Sequence, residues 1–235
     1  GALCVGATIV PLNTRLKGRE AGDILRRTKA KLLFTVDDFL DTDYPSLIAD
    51  EDLPDMQQVL LVGNDWEGFL SKGNGADDPA VDQALGELSP DTVSDIMFTS
   101  GTTGTPKGVM TTHGRIIPMF RGWTEMMGLA AGERYLIINP FFHSFGFKAG
   151  WVAALIAGAV IVPLPNFDIP AVIDRIEQDK INFLPGPPTI YQSLLTAKAE
   201  RDFDTSSLRG AATGAATVPP ELIRRMREEL NLVDT

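Results

Sequence analysis

Short apolar runs alternate with segments of helical period along nearly the whole chain, and this alternation is its strongest constraint on fold. The runs fall at residues 7–12, 31–36, 57–62, 93–99, 135–138, 159–164, 181–184 and 208–213. Each is short, rich in aliphatic and β-branched residues and bounded by turn formers, as a buried strand is. Helix-length segments lie at 19–29, 113–127, 146–157, 169–179, 187–198 and 219–230. In the last, Leu222, Ile223, Met226 and Leu230 fall on one stripe, and Glu221, Arg224, Arg225, Arg227, Glu228 and Glu229 cover the other face. Thr217 reads as its cap, with Pro219 and Pro220 in a first turn that does not need their missing N–H groups. Asp168-Ile169-Pro170 opens a helix in the same way, with Val172, Ile173 and Ile176 on its apolar face. Strands alternating with helices imply an α/β fold of βαβ units, a mostly parallel sheet covered by helices. Ligands of such sheets bind where strands end and helices begin, so the loops after strands are the places to search.

The length of 235 residues suits one large domain or one and a half. Residues 63–92, rich in Gly, Asn, Asp and Pro, read as a long exposed connection between a first α/β half, 1–92, and a second, 93–235. The net charge of −10 is uneven: residues 37–95 carry 16 Asp and Glu against Lys72 alone, leaving the rest of the chain at +5. An acidic average excludes non-specific nucleic-acid binding and attraction to an anionic membrane, while the mildly basic remainder can hold an anionic ligand. The acidic stretch suits a solvated loop or a partner surface. Cys4 has no disulfide partner and reads as a small buried apolar residue. His113 and His143 have no neighbouring Cys, so no metal ligands are assigned. The longest apolar run, near 151–165, is too short to span a bilayer, and no signal-peptide pattern is present. A reducing, cytoplasmic setting is expected, and oligomeric state is not legible.

The most specific string is Phe98-Thr99-Ser100-Gly101-Thr102-Thr103-Gly104-Thr105-Pro106-Lys107-Gly108-Val109, directly after the strand at 93–99. Its composition suits a polyphosphate. Gly101, Gly104 and Gly108 let the backbone come close and turn N–H groups inward, the Ser and Thr hydroxyls add donors, and Lys107 adds positive charge. A helix expected from about Thr112 would add its N-terminal dipole. The spacing is neither that of a Walker A loop, because Lys107 precedes Gly108 rather than Ser or Thr, nor that of a dinucleotide fingerprint.

Thr99 to Gly108 resembles the signature of the adenylate-forming superfamily, which includes acyl- and aryl-CoA synthetases, peptide-synthetase adenylation domains and beetle luciferases. The resemblance extends over essentially the whole chain. Residues 1–16 are similar to the family's segment upstream of the loop. Asn139-Pro140-Phe141-Phe142-His143-Ser144-Phe145-Gly146 resembles its aromatic/histidine motif, and 208–222, with Thr213-Gly214-Ala215-Ala216, resembles the strand and turn that contact acyl group and adenine. Bacterial fatty-acyl-CoA ligases are the most similar branch. The strings around His143 and Leu184-Pro185-Gly186-Pro187-Pro188 are similar to actinobacterial members that activate steroid-derived ring acids.

The resemblance implies an αβαβα arrangement, as part of a large N-terminal domain, and a two-step reaction. A carboxylate attacks the α-phosphate of ATP and expels pyrophosphate; the thiol of coenzyme A then attacks the acyl-adenylate. Mg2+ is expected to bridge the phosphates. The implied phosphate and nucleotide contacts are Thr99, Ser100, Gly101, Thr102, Thr103, Gly104 and Lys107, with Gly214, Ala215 and Ala216 at the adenylate. Lys107 and His143 are the implied catalytic residues, and His143, Phe145, Gly214 and Ala215 the implied acyl pocket. From the residues alone, His143 equally suits a packed core position, and Trp151 and Tyr191 suit either a cleft or the core. The family's Tyr-Gly-x-Thr-Glu string is absent, as are its ribose-binding Asp, its hinge and its C-terminal lysine domain. Together with the apolar start at Gly1, this gives the expectation of an interior fragment that does not turn over by itself. Two alternatives stand beside the acyl-CoA ligase: an enzyme delivering the acyl group to a carrier-protein thiol, and a non-catalytic nucleotide-binding or interaction module.

Overall fold

In the computed structural model, which describes residues 1–73, 78–99, 106–214 and 216–234, the alternation of strands and helices falls into two units, Gly1–His113 and Gly114–Thr235. The first contains α1 (Gly18–Arg27), β1 (Leu32–Thr35), α2 (Tyr44–Ile48), β2 (Gln58–Leu61), α3 (Trp66–Leu70), α4 (Pro79–Glu87), β3 (Val93–Thr99) and β4 (Lys107–Thr112). β1 and β2 pair in parallel, Leu32 opposite Gln58. Phe34 of β1 meets Trp66 and Phe69 of the α3 turn edge-on. β3 and β4 form an antiparallel pair running from Val93 opposite Thr112 to Thr99 opposite Lys107.

α5 (His113–Met127) begins at the division between the units. The second unit continues with β5 (Arg134–Ile137), α6 (Ser144–Gly146), a π-helical turn Phe147–Val152, α7 (Ala153–Ala157), β6 (Val160–Pro163), α8 (Ile169–Asp179), α9 (Pro188–Glu200) and α10 (Pro220–Leu230). Its sheet runs in the order β6, β5, then the chain at Phe183, Gly210 and Asp234, all parallel. Successive residues of a strand face opposite sides. Leu136 accordingly packs with Val172, Ile176, Leu194, Leu222 and Met226 from α8, α9 and α10. Tyr135, Ile137 and Phe183 pack with Trp123 and Ala154 from α5 and α7. Helices therefore cover both faces, as a parallel sheet requires. The Tyr135 hydroxyl donates to the Ala149 carbonyl at 2.6 Å, supplying a partner inside the π-helical turn. Burial raises the pKa of this phenol and of Tyr191, keeping both as donors.

The mixed α/β class with parallel pairs flanked by helices is as expected, and α5 and α8 have the expected bounds. Asp168 caps α8 by accepting from the Ala171 N–H at 3.1 Å. Several details differ. The segment at 7–12 pairs only through Ile9, which bridges Asp95, and Pro11 offers no N–H to extend a ladder. The segments at 181–184 and 208–213 are likewise held by single bridges, next to Pro185 and Pro187. The stretch at 63–92 holds α3 and α4, the latter capped by Asp78, whose carboxylate accepts from the Ala80 N–H at 2.9 Å. Pro219, not Thr217, is the N-cap of α10, and no side chain caps it. Cys4 is exposed in a 3-10 turn rather than buried. The units divide after His113, whereas the sequence suggested a division near residue 92; the Ile9–Asp95 bridge and the β3–β4 pairing keep those strands with the first unit. Among the described residues no helix is long and apolar enough to cross a membrane.

Candidate functional site

Each unit carries its own group of candidate residues. In the first, Thr99 and Lys107 form the last rung of the β3–β4 pair. Thr99 Oγ1 donates to the Lys107 carbonyl at 3.5 Å, a long bond across the neck of the hairpin. Lys107 is exposed at the start of β4. Ser100, Gly101, Thr102, Thr103 and Gly104, the expected phosphate contacts, lie outside the described residues, as does Thr105. The sequence placed a helix from about Thr112 and expected its dipole at the loop, and α5 begins at His113 as expected. The six residues of β4, of which Lys107 is the first, however, come before that helix. A strand of that length extends about 20 Å. The field of a helix end fades beyond its terminal turn, so α5 adds no dipole at Lys107. What remains there is the Lys107 ammonium and the hairpin's own backbone.

In the second unit, candidates collect at the carboxyl ends of parallel strands. The chain leaving β5 turns through Asn139-Pro140 into α6. His143 is the N-cap of α6: its Nδ1 accepts from the Phe145 N–H at 3.2 Å, and its N–H donates to the Pro140 carbonyl at 3.0 Å. With Nδ1 occupied as an acceptor, Nε2 carries the ring proton in the neutral form. His143 is exposed and Phe145 half-buried. Gly146 closes the turn, where a Cβ would stand 2.2 Å from the Asn139 carbonyl oxygen and 2.3 Å from that of Pro140. Only glycine fits that approach.

This turn is tied sideways to the other strand ends. Asn139 Nδ2 donates to the Pro185 carbonyl at 3.4 Å, and the Gly186 N–H donates to the Ala212 carbonyl at 2.9 Å. Gly186 also bridges Thr213. The sheet thus brings the His143 turn and the Thr213-Gly214 segment to one edge, where ligands of parallel sheets bind. Gly214 is half-buried and Ala216 exposed, while Ala215 lies outside the described residues. Nothing described stands within 4 Å of a Cβ built on Gly214. Tyr191 is fully buried and donates to the Leu184 carbonyl at 2.7 Å, and Trp151 packs beside the buried Tyr135 and Phe183; both belong to the core.

Thr213, quoted above only as part of its motif and given no role from sequence, stands at this edge. Thr213 Oγ1 is buried with no hydrogen-bond partner among the described residues. The residue also lines a cavity of about 460 Å3 together with Met126, Met127, Ala212, Val218 and Ile223. A buried hydroxyl without a partner is costly unless a ligand or water supplies one. Its position before Gly-Ala-Ala at the end of a strand was the available signal. Among the described residues no three His, Cys, Asp or Glu side chains converge to hold a metal ion.

Comparison with known proteins gives these groups a context. The family model described as "AMP-binding enzyme" matches residues 1–234, and the chain belongs to that family. It is 46% identical, over 97% of its length, to the 3-[(3aS,4S,7aS)-7a-methyl-1,5-dioxo-octahydro-1H-inden-4-yl]propanoyl:CoA ligase of Mycobacterium tuberculosis (strain ATCC 25618 / H37Rv). The enzyme of the same name from Rhodococcus jostii (strain RHA1) is 43% identical over 96% of the chain. In both cases the chain spans 46% of the relative, about half its length. Among solved structures, the inhibitor-bound N-terminal domain of FACL13 from Mycobacterium tuberculosis superposes with a TM-score of 0.78 at 26% identity, covering 95% of this chain and 54% of that one.

Proposed function

We propose that the chain is the nucleotide- and acyl-binding part of an ATP-dependent acyl-CoA ligase acting on a ring-bearing carboxylic acid. The observation that carries this reading is the 43–46% identity, over almost the whole chain, to two ligases whose names specify a propanoyl group on a fused bicyclic dione. In the first step a substrate carboxylate oxygen attacks the α-phosphorus of ATP, and the bond to pyrophosphate breaks. In the second the sulfur of coenzyme A attacks the acyl carbon, and AMP leaves. Both steps bring anions together, so positioning and charge relief dominate over covalent chemistry by the protein. Lys107 and the loop from Ser100 to Gly104, entered through Thr99, hold the β- and γ-phosphates. Gly214, Ala215 and Ala216 let the adenylate lie against backbone, and Thr213 Oγ1 supplies a hydrogen bond at that edge. His143 gates the acyl pocket, which Phe145 helps to line. Mg2+ accompanies ATP as the phosphate-bound ion, and no step here is routed through it. The need for ATP and coenzyme A fits a cytoplasmic enzyme.

The test is a panel of fatty, aromatic and ring-bearing acids given to the full-length protein with ATP, following pyrophosphate release and coenzyme A thioester formation. Bicyclic propanoates should give the highest kcat/KM. Pyrophosphate release with transfer only to a carrier-protein thiol would replace the acceptor, and absence of acid-dependent release would remove the reading.

His143→Ala should change the kcat/KM ratio between a bicyclic and a straight-chain acid by about tenfold, the scale on which pocket contacts discriminate. An unchanged ratio and rate would leave His143 as a helix cap only.

A further inference from the structure

We infer that Arg27 is a positioning residue for the phosphate-binding hairpin, an inference that rests on the function proposed above. Arg27 is the last residue of α1, remote in sequence from the loop it serves. Its Nη1 donates to the Pro106 carbonyl at 2.9 Å and to the Asp23 carboxylate, one helical turn back, at 3.3 Å. Its guanidinium carbon lies 5.0 Å from the centre of the Phe98 ring. Phe98 and Pro106 are the residues just outside the Thr99–Lys107 rung and just before it on the two sides of the hairpin neck. One side chain therefore holds both sides of that neck.

A second contact of the Phe98 ring explains why this grip is transmitted. Phe98 stands opposite Gly108 across the β3–β4 pair. A Cβ on Gly108 would lie 3.2 Å from Phe98 Cζ and 3.0 Å from Ile96 Cγ2, so the ring rests on the glycine. An aromatic ring over a cross-strand glycine fills the gap left by the missing side chain. The Phe98 ring thus meets both Gly108 and the Arg27 guanidinium, and the Pro106 carbonyl ties that guanidinium to the chain beside Lys107. Exposed ion pairs contribute little by themselves, and the Asp23–Arg27 pair is of that kind. A guanidinium that also stacks on an aromatic face and donates to a carbonyl is a fixed fork, a geometry lysine does not reproduce. The consequence is a fixed register at the neck and hence a fixed place for the first residue of β4, Lys107. The sequence offers little sign of this, because Arg27 sits in an Arg-Arg pair at a helix end, where basic residues are expected for the dipole alone.

In the full-length protein, Arg27→Ala should raise the KM for ATP about tenfold, with kcat and the KM for the acid within about twofold of the parent. Arg27→Lys should recover part of the loss, since an ammonium donates to a carbonyl but does not stack as a plane. Amide hydrogen exchange should quicken across 97–99 and 106–110 in Arg27→Ala and stay unchanged across 134–186. A purely structural surface arginine would instead lower the melting temperature or the active fraction, leaving the KM for ATP and the exchange at the neck as in the parent; that result overturns the inference. If the parent shows no acid-dependent pyrophosphate release, the functional reading fails, and amide exchange at the neck alone decides whether Arg27 holds the hairpin.

Discussion

Lys107→Ala in the full-length protein lowers acid-dependent ATP–pyrophosphate exchange about a hundredfold at subsaturating ATP, the scale of losing one preorganised charged contact to a reacting phosphate. The expectation follows from what surrounds Lys107. It is exposed on the last rung of the hairpin, and β4 separates it from the start of α5. If the loop holds the phosphates as proposed, the Lys107 ammonium is a contact that α5 does not share. The effect is confined to species that carry those phosphates. A preformed acyl-adenylate, which lacks the β- and γ-phosphates, should bind Lys107→Ala within a few-fold of the parent. Loss of adenylate affinity equal to the loss of exchange would move Lys107 away from the pyrophosphate end. Unaltered exchange would remove it from the site.

Gly146→Ala has the largest expected effect on folding. The added methyl would stand 2.2 Å and 2.3 Å from two carbonyl oxygens of the Asn139-Pro140 turn, and neither is the tip of a flexible side chain. The backbone must open there, breaking the bond from the Gly146 N–H to the His143 carbonyl. A loss of about 4 kcal/mol or more is expected, in the range diagnostic of a forced backbone change. Thermal or urea unfolding of the chain measures it. Gly214→Ala is the matched opposite. Its Cβ meets nothing described within 4 Å, so stability should move by less than about 0.5 kcal/mol, as for a substitution with open space around it. Activity should nevertheless fall if the adenylate lies against this backbone. Gly214→Ala with full activity would leave the Gly214 turn outside the site.

The parts of the fold legible in the sequence are those where local chemistry and tertiary packing agree. Asp168 before Ile169-Pro170 caps α8 as its type suggests, and the stripe of Leu222, Met226 and Leu230 is the buried face of α10. Elsewhere the local signal was ambiguous. Asp78-Pro79 opens α4, yet the same pair with Gly and Asn nearby also marks a turn. β4 begins Lys107-Gly108 and exposes its first four residues, so it lacks the alternation that identifies a strand, and its pairing with β3 is what holds it extended. The π-helical turn at Phe147–Val152 depends on a hydroxyl from Tyr135, in another element, and no local pattern encodes that. In the candidate site, the motif residues were legible as strings, but their division between two units was not. Nor was the Arg27–Pro106 contact, which joins segments distant in sequence, or the burial of the Thr213 hydroxyl without a partner among the described residues.

The strand order of the second unit also constrains how it is made during synthesis. β5 lies between β6 and the segment at Phe183, and Phe183 lies between β5 and Gly210. As the chain leaves a ribosome, β5 and β6 can pair first, with one edge of β5 open until Phe183 emerges. Each later segment then adds to the same growing side, and Asp234 comes last. Parallel pairing is non-local and therefore slow, and an open strand edge is where nascent chains associate wrongly. A pause in translation before residue 183 would prolong exposure of that edge, making the codons between β6 and Phe183 a determinant of yield with no counterpart in the finished site.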